Sequence, residues 1–354
     1  MRLTNLVLKN FRNYQNLEVS FNSDLVLILG ANASGKTNLL ESIYFLSRLR
    51  SFRAPDELLI NHREDYFALQ GRAGNRQMET VVQKSGLVKR SFKLDGQKTK
   101  RSLWQTFATV LFVPNDLNLF ILGPVFRRKY LDEVLGQRDS LYVLSLSSLE
   151  HVLKQRGALL QLLGRGEGQR SELDYWNLEL AKTALTIWVK RTELIGFLNR
   201  RFNQVNRDLT NFDHIYQIEF VSANRFANEN EFLAELGRLE PAEIRAGKNL
   251  LGPHRDDFLI KKNGELNIYN SSRGELRAQI LALKLLQAEY LTNGESKPVI
   301  LLDDVFSELD EIRRTKLLET LTGHQIFITT TEEHHLPKLA KDVQIFKVEN
   351  NQLK

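Results

Sequence analysis

Gly30-Ala31-Asn32-Ala33-Ser34-Gly35-Lys36-Thr37 spaces two glycines by four residues and follows them with lysine and threonine. Such a loop can curl its backbone N–H groups, and the helix N-terminus behind it, around anionic oxygens. In this pattern Lys36 reaches the β- and γ-phosphates of a nucleotide, and the Thr37 hydroxyl ligates Mg²⁺. Far along the chain, Val299-Ile300-Leu301-Leu302 runs straight into Asp303-Asp304. A buried strand ending in an acid can hold Mg²⁺ beside the phosphates. Asp303 is then the metal-side carboxylate, and Asp304 orients or deprotonates an attacking water. These two stretches make Lys36, Asp303 and Asp304 the candidate catalytic residues, with Thr37 and Asp303 as metal ligands.

A third stretch selects among phosphate-loop proteins. Asn270-Ser271-Ser272-Arg273-Gly274-Glu275-Leu276 precedes an apolar helix expected over 276–291. Its Ser-x-Gly-Glu core resembles the signature motif of ABC-type ATPases, and Ser307-Glu308-Leu309-Asp310 follows the acidic strand like a D-loop. The helix dipole, with Ser272 and Gly274 at its start, can approach a γ-phosphate. In the ABC class that phosphate sits on the loop of a second subunit, so nucleotide binding becomes dimerisation. An ordinary helix cap would use the same residues.

The elements that must position these groups are legible in outline. Residues 3–8 and 25–29 read as strands, the second a continuous apolar run of the kind buried on both faces. A helix is expected from Asn38 to about Leu49. Residues 66–113 carry short β segments, with Asp95-Gly96 as a hairpin turn between 91–94 and 97–99. After Pro114, apolar residues from Leu173 to Leu209 recur at three- and four-residue steps, predicting one long amphipathic helix or two in series. Gly164–Gly168 separates this from the helix before it, an antiparallel pair. β texture returns at 258–260 and 266–269, followed by strands at 299–303, 326–330 and 343–348. The fold class is therefore α/β, with an ATPase head over 1–113 and 246–354 built from both ends of the chain. A mostly helical lobe is inserted over 114–245.

Composition limits the alternatives. The 354 residues include no cysteine, which removes disulfides, thiolate–zinc sites and thiol catalysis. No secretory leader or membrane-length apolar run is visible, and the expectation is a cytoplasmic protein. The net charge is +6, yet residues 1–113 alone carry +8. From Lys84 to Arg101 seven cations face the single acid Asp95, the strongest basic run in the chain. Folded into a hairpin, it could track nucleic-acid phosphates, or simply keep an edge strand soluble.

Several stretches together resemble the RecF family, bacterial recombination-mediator ATPases related to the SMC and Rad50 proteins. They are Asn10–Tyr14, Gly123–Asp132, Gly252-Pro253-His254-Arg255-Asp256-Asp257 and Asp303–Asp310, and the resemblance runs from about residue 3 to 331. It implies an ABC-type head with a compact lobe and no long coiled coil, binding ATP with Mg²⁺. It implies a homodimer formed on ATP, bound to DNA at single-stranded gaps or junctions and acting in replication and repair of DNA damage. RecO and RecR are the implied partners, RecA loading and the SOS response the implied outcome. Weak, DNA-dependent ATP hydrolysis is the implied activity. Arg12 and Asn13 fall where relatives in the wider class contact nucleotide.

Three departures set this chain apart from ABC transporter ATPases. Thr329, Thr330 and Thr331 occupy the place of the switch histidine, and His324, before the strand, is expected at the surface. Asp304 replaces a glutamate. Phe112–Asp116 lacks the Q-loop glutamine, leaving Asn115 or Asp116 in its place. These features disfavour a transport ATPase, and the short insertion disfavours an SMC-like clamp. Weaker signals are Arg53, a phosphate, DNA or plain surface residue; Gly252–Asp257, a functional turn or one held by Arg255 ion pairs; and Arg127-Arg128-Lys129, on a helix start where cations oppose the dipole. His334-His335 lacks the further ligands of a metal site.

Overall fold

The computed structural model describes residues 1–104, 106–210, 213–221, 226, 228–332, 342–349 and 352–354; His334-His335 lies outside them. The chain begins with antiparallel strands β1 (Leu3–Phe11) and β2 (Tyr14–Ser20), then β3 (Leu25–Leu29) and helix α1 (Lys36–Arg48). Strands β4 (Tyr66–Ala73), β5 (Arg76–Ser85), β6 (Leu87–Leu94), β7 (Gln97–Lys98) and β8 (Thr109–Phe112) follow. Next come helices α2 (Asn118–Ile121), α3 (Gly123–Arg138), α4 (Ser140–Gly164) and α5 (Glu172–Thr210), strand β9 (Tyr216–Val221) and helix α6 (Glu229–Ala246). Strands β10 (Asp257–Lys262) and β11 (Glu265–Leu266) lead to helices α7 (Asn267–Asn270) and α8 (Arg273–Leu291). Strand β12 (Val299–Asp303), helix α9 (Glu311–Thr320) and strands β13 (Ile326–Thr330), β14 (Val343–Glu349) and β15 (Gln352–Leu353) close the chain.

Two compact units result. Met1–Asp116 with Ala278–Lys354 forms the first, and Leu117–Arg277 the second. In the first, one sheet runs β15-β14-β3-β13-β12-β8, parallel from β14 to β8. A second, antiparallel sheet runs β2-β1-β4-β5-β6-β7. Helix α1 packs against strands of both sheets, burying Leu39, Leu40, Ile43, Tyr44, Phe45 and Leu46. The apolar run at 25–29 sits mid-sheet, which is why it has no polar face. Because β13 lies between β3 and β12, the carboxyl ends of all three open on one edge. That edge is where parallel α/β sheets bind ligands.

The second unit centres on α4 and α5, which pair as an antiparallel hairpin. The periodic stretch from Leu173 to Leu209 is one 39-residue helix rather than two. Its interior holds charges, each with partners. Arg156, fully buried, reaches Glu243, Asn177 and Asn249. Arg191 is bonded to Asp132, Asp256 and the Tyr142 hydroxyl, and Trp188 Nε1 donates to Asp256. Removing one member of such a buried pair costs about 3–5 kcal/mol. Asn199 and Asn203, one turn apart on α5, bond the backbone N–H and C=O of Ile218 and Tyr216, closing the free edge of β9.

The boundaries expected at 114 and 246 move to 117 and 278. Segment 246–277 packs with the helical unit because β10 pairs with β9 along six residues, and Arg191 and Arg127 anchor Asp256 and Asp257. The β texture expected at 266–269 shrinks to β11, and 267–270 is helical. No described helix is long and apolar enough to cross a membrane.

Candidate nucleotide-binding site

The loop from Gly30 to Thr37 is held from behind by the turn between β1 and β2. Asn13 Nδ2 donates to the Ser34 carbonyl at 3.3 Å, and the Tyr14 hydroxyl donates to that of Gly35 at 3.1 Å. Asn38 Nδ2 donates to Asn13 Oδ1 at 2.6 Å, closing the brace. Gly35 must be glycine: its φ is +114°, and a Cβ there would stand 2.4 Å from Asn13 Nδ2. Burial drives the Tyr14 phenol far above its ordinary pKa, so it stays a neutral donor.

Lys36 is 7% exposed and folds across the loop, donating to the carbonyls of Gly30 at 2.7 Å and Ala31 at 2.9 Å. Burial lowers its pKa, and Asp304 and Asp303 pull the other way. The Ser34 hydroxyl is buried with no hydrogen-bond partner among the described residues. A buried orphan hydroxyl and an ammonium borrowing its own loop's carbonyls fit a phosphate chain that would supply the acceptors both lack. The loop from Gly30 through Ala31, Asn32 and Ala33 to Ser34 lines a cavity of about 870 Å³.

Asp303 ends β12 and is 7% exposed. Its Oδ1 accepts 2.8 Å hydrogen bonds from Thr37 on the first turn of α1 and from Thr329 on β13. The same Thr329 hydroxyl accepts from the Asp304 backbone N–H at 3.0 Å. Asp304 has φ of +53°, a left-handed conformation that aspartate tolerates better than most residues. A hydroxyl and a carboxylate in contact are the donor set a hard divalent cation takes.

One turn past Thr37, Glu41 is fully buried. It receives Arg12 through two 2.9 Å bonds, Arg53 at 2.8 Å and the Ser51 hydroxyl at 2.6 Å. Burial would raise its pKa, but bonds from Arg53, Arg12 and Ser51 outweigh that and hold it below the ordinary carboxylate value. Arg53 also bonds Asn38 Oδ1. Arg12, Asn13, Asn38 and Arg53 line a polar cavity of about 1000 Å³.

Thus the first unit brings together the loop, Lys36, Thr37, Asp303, Asp304, Arg12 and Asn13. Ser272 and Gly274 belong to the second unit, exposed at the N-terminus of α8. There Glu275 N–H donates to Ser272 Oγ at 3.2 Å, and Ser272 N–H to Glu275 Oε2 at 2.8 Å, a reciprocal capping box. Burial would raise the Glu275 pKa, but Lys262 and Ser272 together hold it down at about 2. In the Q-loop region Asp116 accepts from Val113 N–H and pairs with Lys284 at 3.1 Å, and Asn115 is exposed.

Several weaker expectations change. Asp256 and Asp257 pair with Arg191 and Arg127, not Arg255, which donates to the Asn249 carbonyl. Arg127 is buried against Asp257, and Arg128 donates to the Asp256 carbonyl, so this pair serves the second unit's interior. His324 is buried rather than at the surface, with Nδ1 3.0 Å from the Pro298 carbonyl. Sequence reasoning missed Glu41, and it noted Thr329 only as standing in place of the switch histidine, not as the residue that holds Asp303 and Asp304. A lone acid on the apolar face of α1 was the available signal for Glu41.

A family model for the RecF/RecN/SMC N terminal domain matches residues 2–354. A DNA replication and repair protein RecF of Moorella thermoacetica is 36% identical, with 95% of this chain and 92% of the relative aligned. One of Bacillus mycoides is 35% identical, over 98% of this chain and 97% of the relative. A solved structure of the recombination mediator protein RecF with ATP, in the RecFOR pathway, superposes with a TM-score of 0.89 at 29% identity, covering 99% and 96% of the two chains. An Smc head bound to the C-winged helix domain of ScpA shares the fold at a TM-score of 0.56 and 14% identity, over 100% and 97%.

Proposed function

The chain belongs to the RecF family of DNA replication and repair proteins, with an ABC-type ATPase fold, and on that premise we propose that it is a DNA-binding ATPase whose dimer is assembled by ATP. The observation that carries this is the Asp303 carboxylate bonded to Thr37 at the mouth of the phosphate loop. Bound Mg²⁺ would supply a Lewis acid shared between Thr37, Asp303 and the phosphates. Lys36 would exchange the carbonyls of Gly30 and Ala31 for phosphate oxygens. Asp304, held by Thr329 through its backbone, would orient and deprotonate a water. Its side chain is one methylene shorter than the glutamate of faster ABC ATPases, which favours slow, DNA-stimulated turnover.

The exposed capping box at Ser272 and Gly274 supports a contact with a second copy's γ-phosphate, because a helix N-terminus favours anions. In this reading ATP closes the dimer on DNA at a single-stranded gap, where RecO and RecR act with it to load RecA and sustain the SOS response. Hydrolysis then resets the dimer in the cytoplasm. The test is sedimentation with and without Mg-ATP and a gapped duplex. A chain that stays monomeric with ATP and retains no DNA would overturn the reading.

A further inference from the structure

Seven cations between Lys84 and Arg101 face one acid in sequence, and the fold divides them. Asp95 is taken by Arg76 at 2.7 Å and by the Gln77 N–H. Arg90 pairs with Asp56 at 2.6 Å, and Lys93 with Glu79 at 3.2 Å. Lys84, Lys89, Lys98, Lys100 and Arg101 are exposed, and none of the four lysines has an ion pair among the described residues.

Register gives these lysines a direction. In β6, Phe92 faces the core, so Lys89, Ser91 and Lys93 face solvent. Lys98 pairs with Lys93 and shares that face. Lys84 lies across from Val88 and so shares the face of Val88, Arg90 and Phe92, opposite to that of Lys89 and Lys98. Lys89 and Lys93 are about 13 Å apart at the usual strand rise. Lys98 stands directly opposite Lys93, whose charge is met by Glu79, so Lys98 is left without a counter-ion among the described residues. The surface between is low: Ala68, Val81 and Ser91 stand side by side on adjacent strands. The ring of Tyr66 is covered by Lys9, with the ammonium 5.6 Å from its centroid, so this face presents charge rather than an open stacking platform. β7 covers only Lys93 and Leu94, so the rest of β6, Lys89 included, is itself the edge of the sheet.

We propose that the solvent face of the β5-β6-β7 ribbon binds the phosphodiester backbone of nucleic acid through Lys89, Lys98 and Lys100, without reading bases. This rests on the DNA-binding reading above.

The experiment is anisotropy of labelled 30-mer duplex and single-stranded DNA with the full chain, from 50 to 300 mM salt, with and without ATP. Alongside the parent run K89E/K98E/K100E and a control of equal charge change, K154E/K182E/K248E. The ribbon variant should lose binding by tenfold or more. On the favoured DNA form its salt slope should fall by about 3 for duplex, or about 2 for single strands. Melting and ATP affinity should stay at parental values. The triple Lys→Gln variant gives the same readout, with a smaller loss, should the reversals impair folding. A parent that binds neither DNA overturns the DNA-binding reading itself. A parent that binds while the ribbon variant matches it, or while the control falls equally, overturns only the ribbon.

Discussion

The hydroxyl of Thr329 stands 2.8 Å from Oδ1 of Asp303, the oxygen to which Thr37 also donates, and one hydrogen bond from the backbone of Asp304. A single β-branched residue thereby fixes both acids: it points one carboxylate at the phosphate loop and braces the left-handed turn that carries the other. Thr329 is fully buried and pairs in register with Asp303 on one side and Ile28 on the other.

Thr329→Val keeps shape and removes only the hydroxyl. Hydrogen bonds to a charged group contribute about 1.5–3 kcal/mol. Affinity for Mg-ATP should fall about tenfold relative to metal-free ATP, the equivalent of ~1.4 kcal/mol, and Thr329→Ser should restore it. Titration of nucleotide with and without Mg²⁺ reads this; equal affinities for parent and valine variant would remove Thr329 from the site.

Lys36→Ala should abolish ATP-driven dimerisation, because the cation poised on the loop is gone. Asp304→Asn should bind ATP and prolong the dimer, since an amide cannot take the proton. Sedimentation with Mg-ATP checks both. A Lys36→Ala chain dimerising as the parent does would refute the assignment.

Ser272 caps α8, and in the proposed dimer it would also face a γ-phosphate; substitutions can separate the two. Aspartate is as good an N-cap as serine, so Ser272→Asp should leave the melting temperature unchanged. Its charge would nevertheless repel a γ-phosphate presented by a second copy and block the ATP dimer. Ser272→Ala should lose about 1 kcal/mol of stability as an uncapped helix. Thermal melts with sedimentation distinguish these, and a Ser272→Asp variant that dimerises normally leaves the residue a cap alone.

Glu41→Gln should destabilise the first unit by about 3 kcal/mol, the low end for a broken buried pair, since Arg12 and Arg53 keep some water contact. The Glu41 carboxyl is held below its ordinary pKa. Its contribution is therefore complete above the unfolded value of about 4.3 and is lost as pH falls through the lower folded value. Melting temperatures of parent and variant should differ by a constant gap near neutrality and converge in acid. A gap unchanged into the acid range would mean that charge is not what Glu41 contributes.

What the sequence determined by itself was local. The loop at 30–37, the acid-ended strand at 299–304 and the Ser-x-Gly-Glu helix start each depend on dihedral preferences and hydrophobic period within about ten residues, so they could be read in order along the chain. Only tertiary structure decided which distant groups meet. Arg127 finds Asp257 across 130 positions, and Thr329 comes to Asp303 because β13 lies beside β12. Segment 246–277 joins the helical unit because the strand that completes β10 is β9. The same holds for the basic run: its composition gave the charge, but register and ion pairing decided which lysines are left facing water. Pairing of this kind follows from sheet order and packing of the whole chain, which no local period encodes.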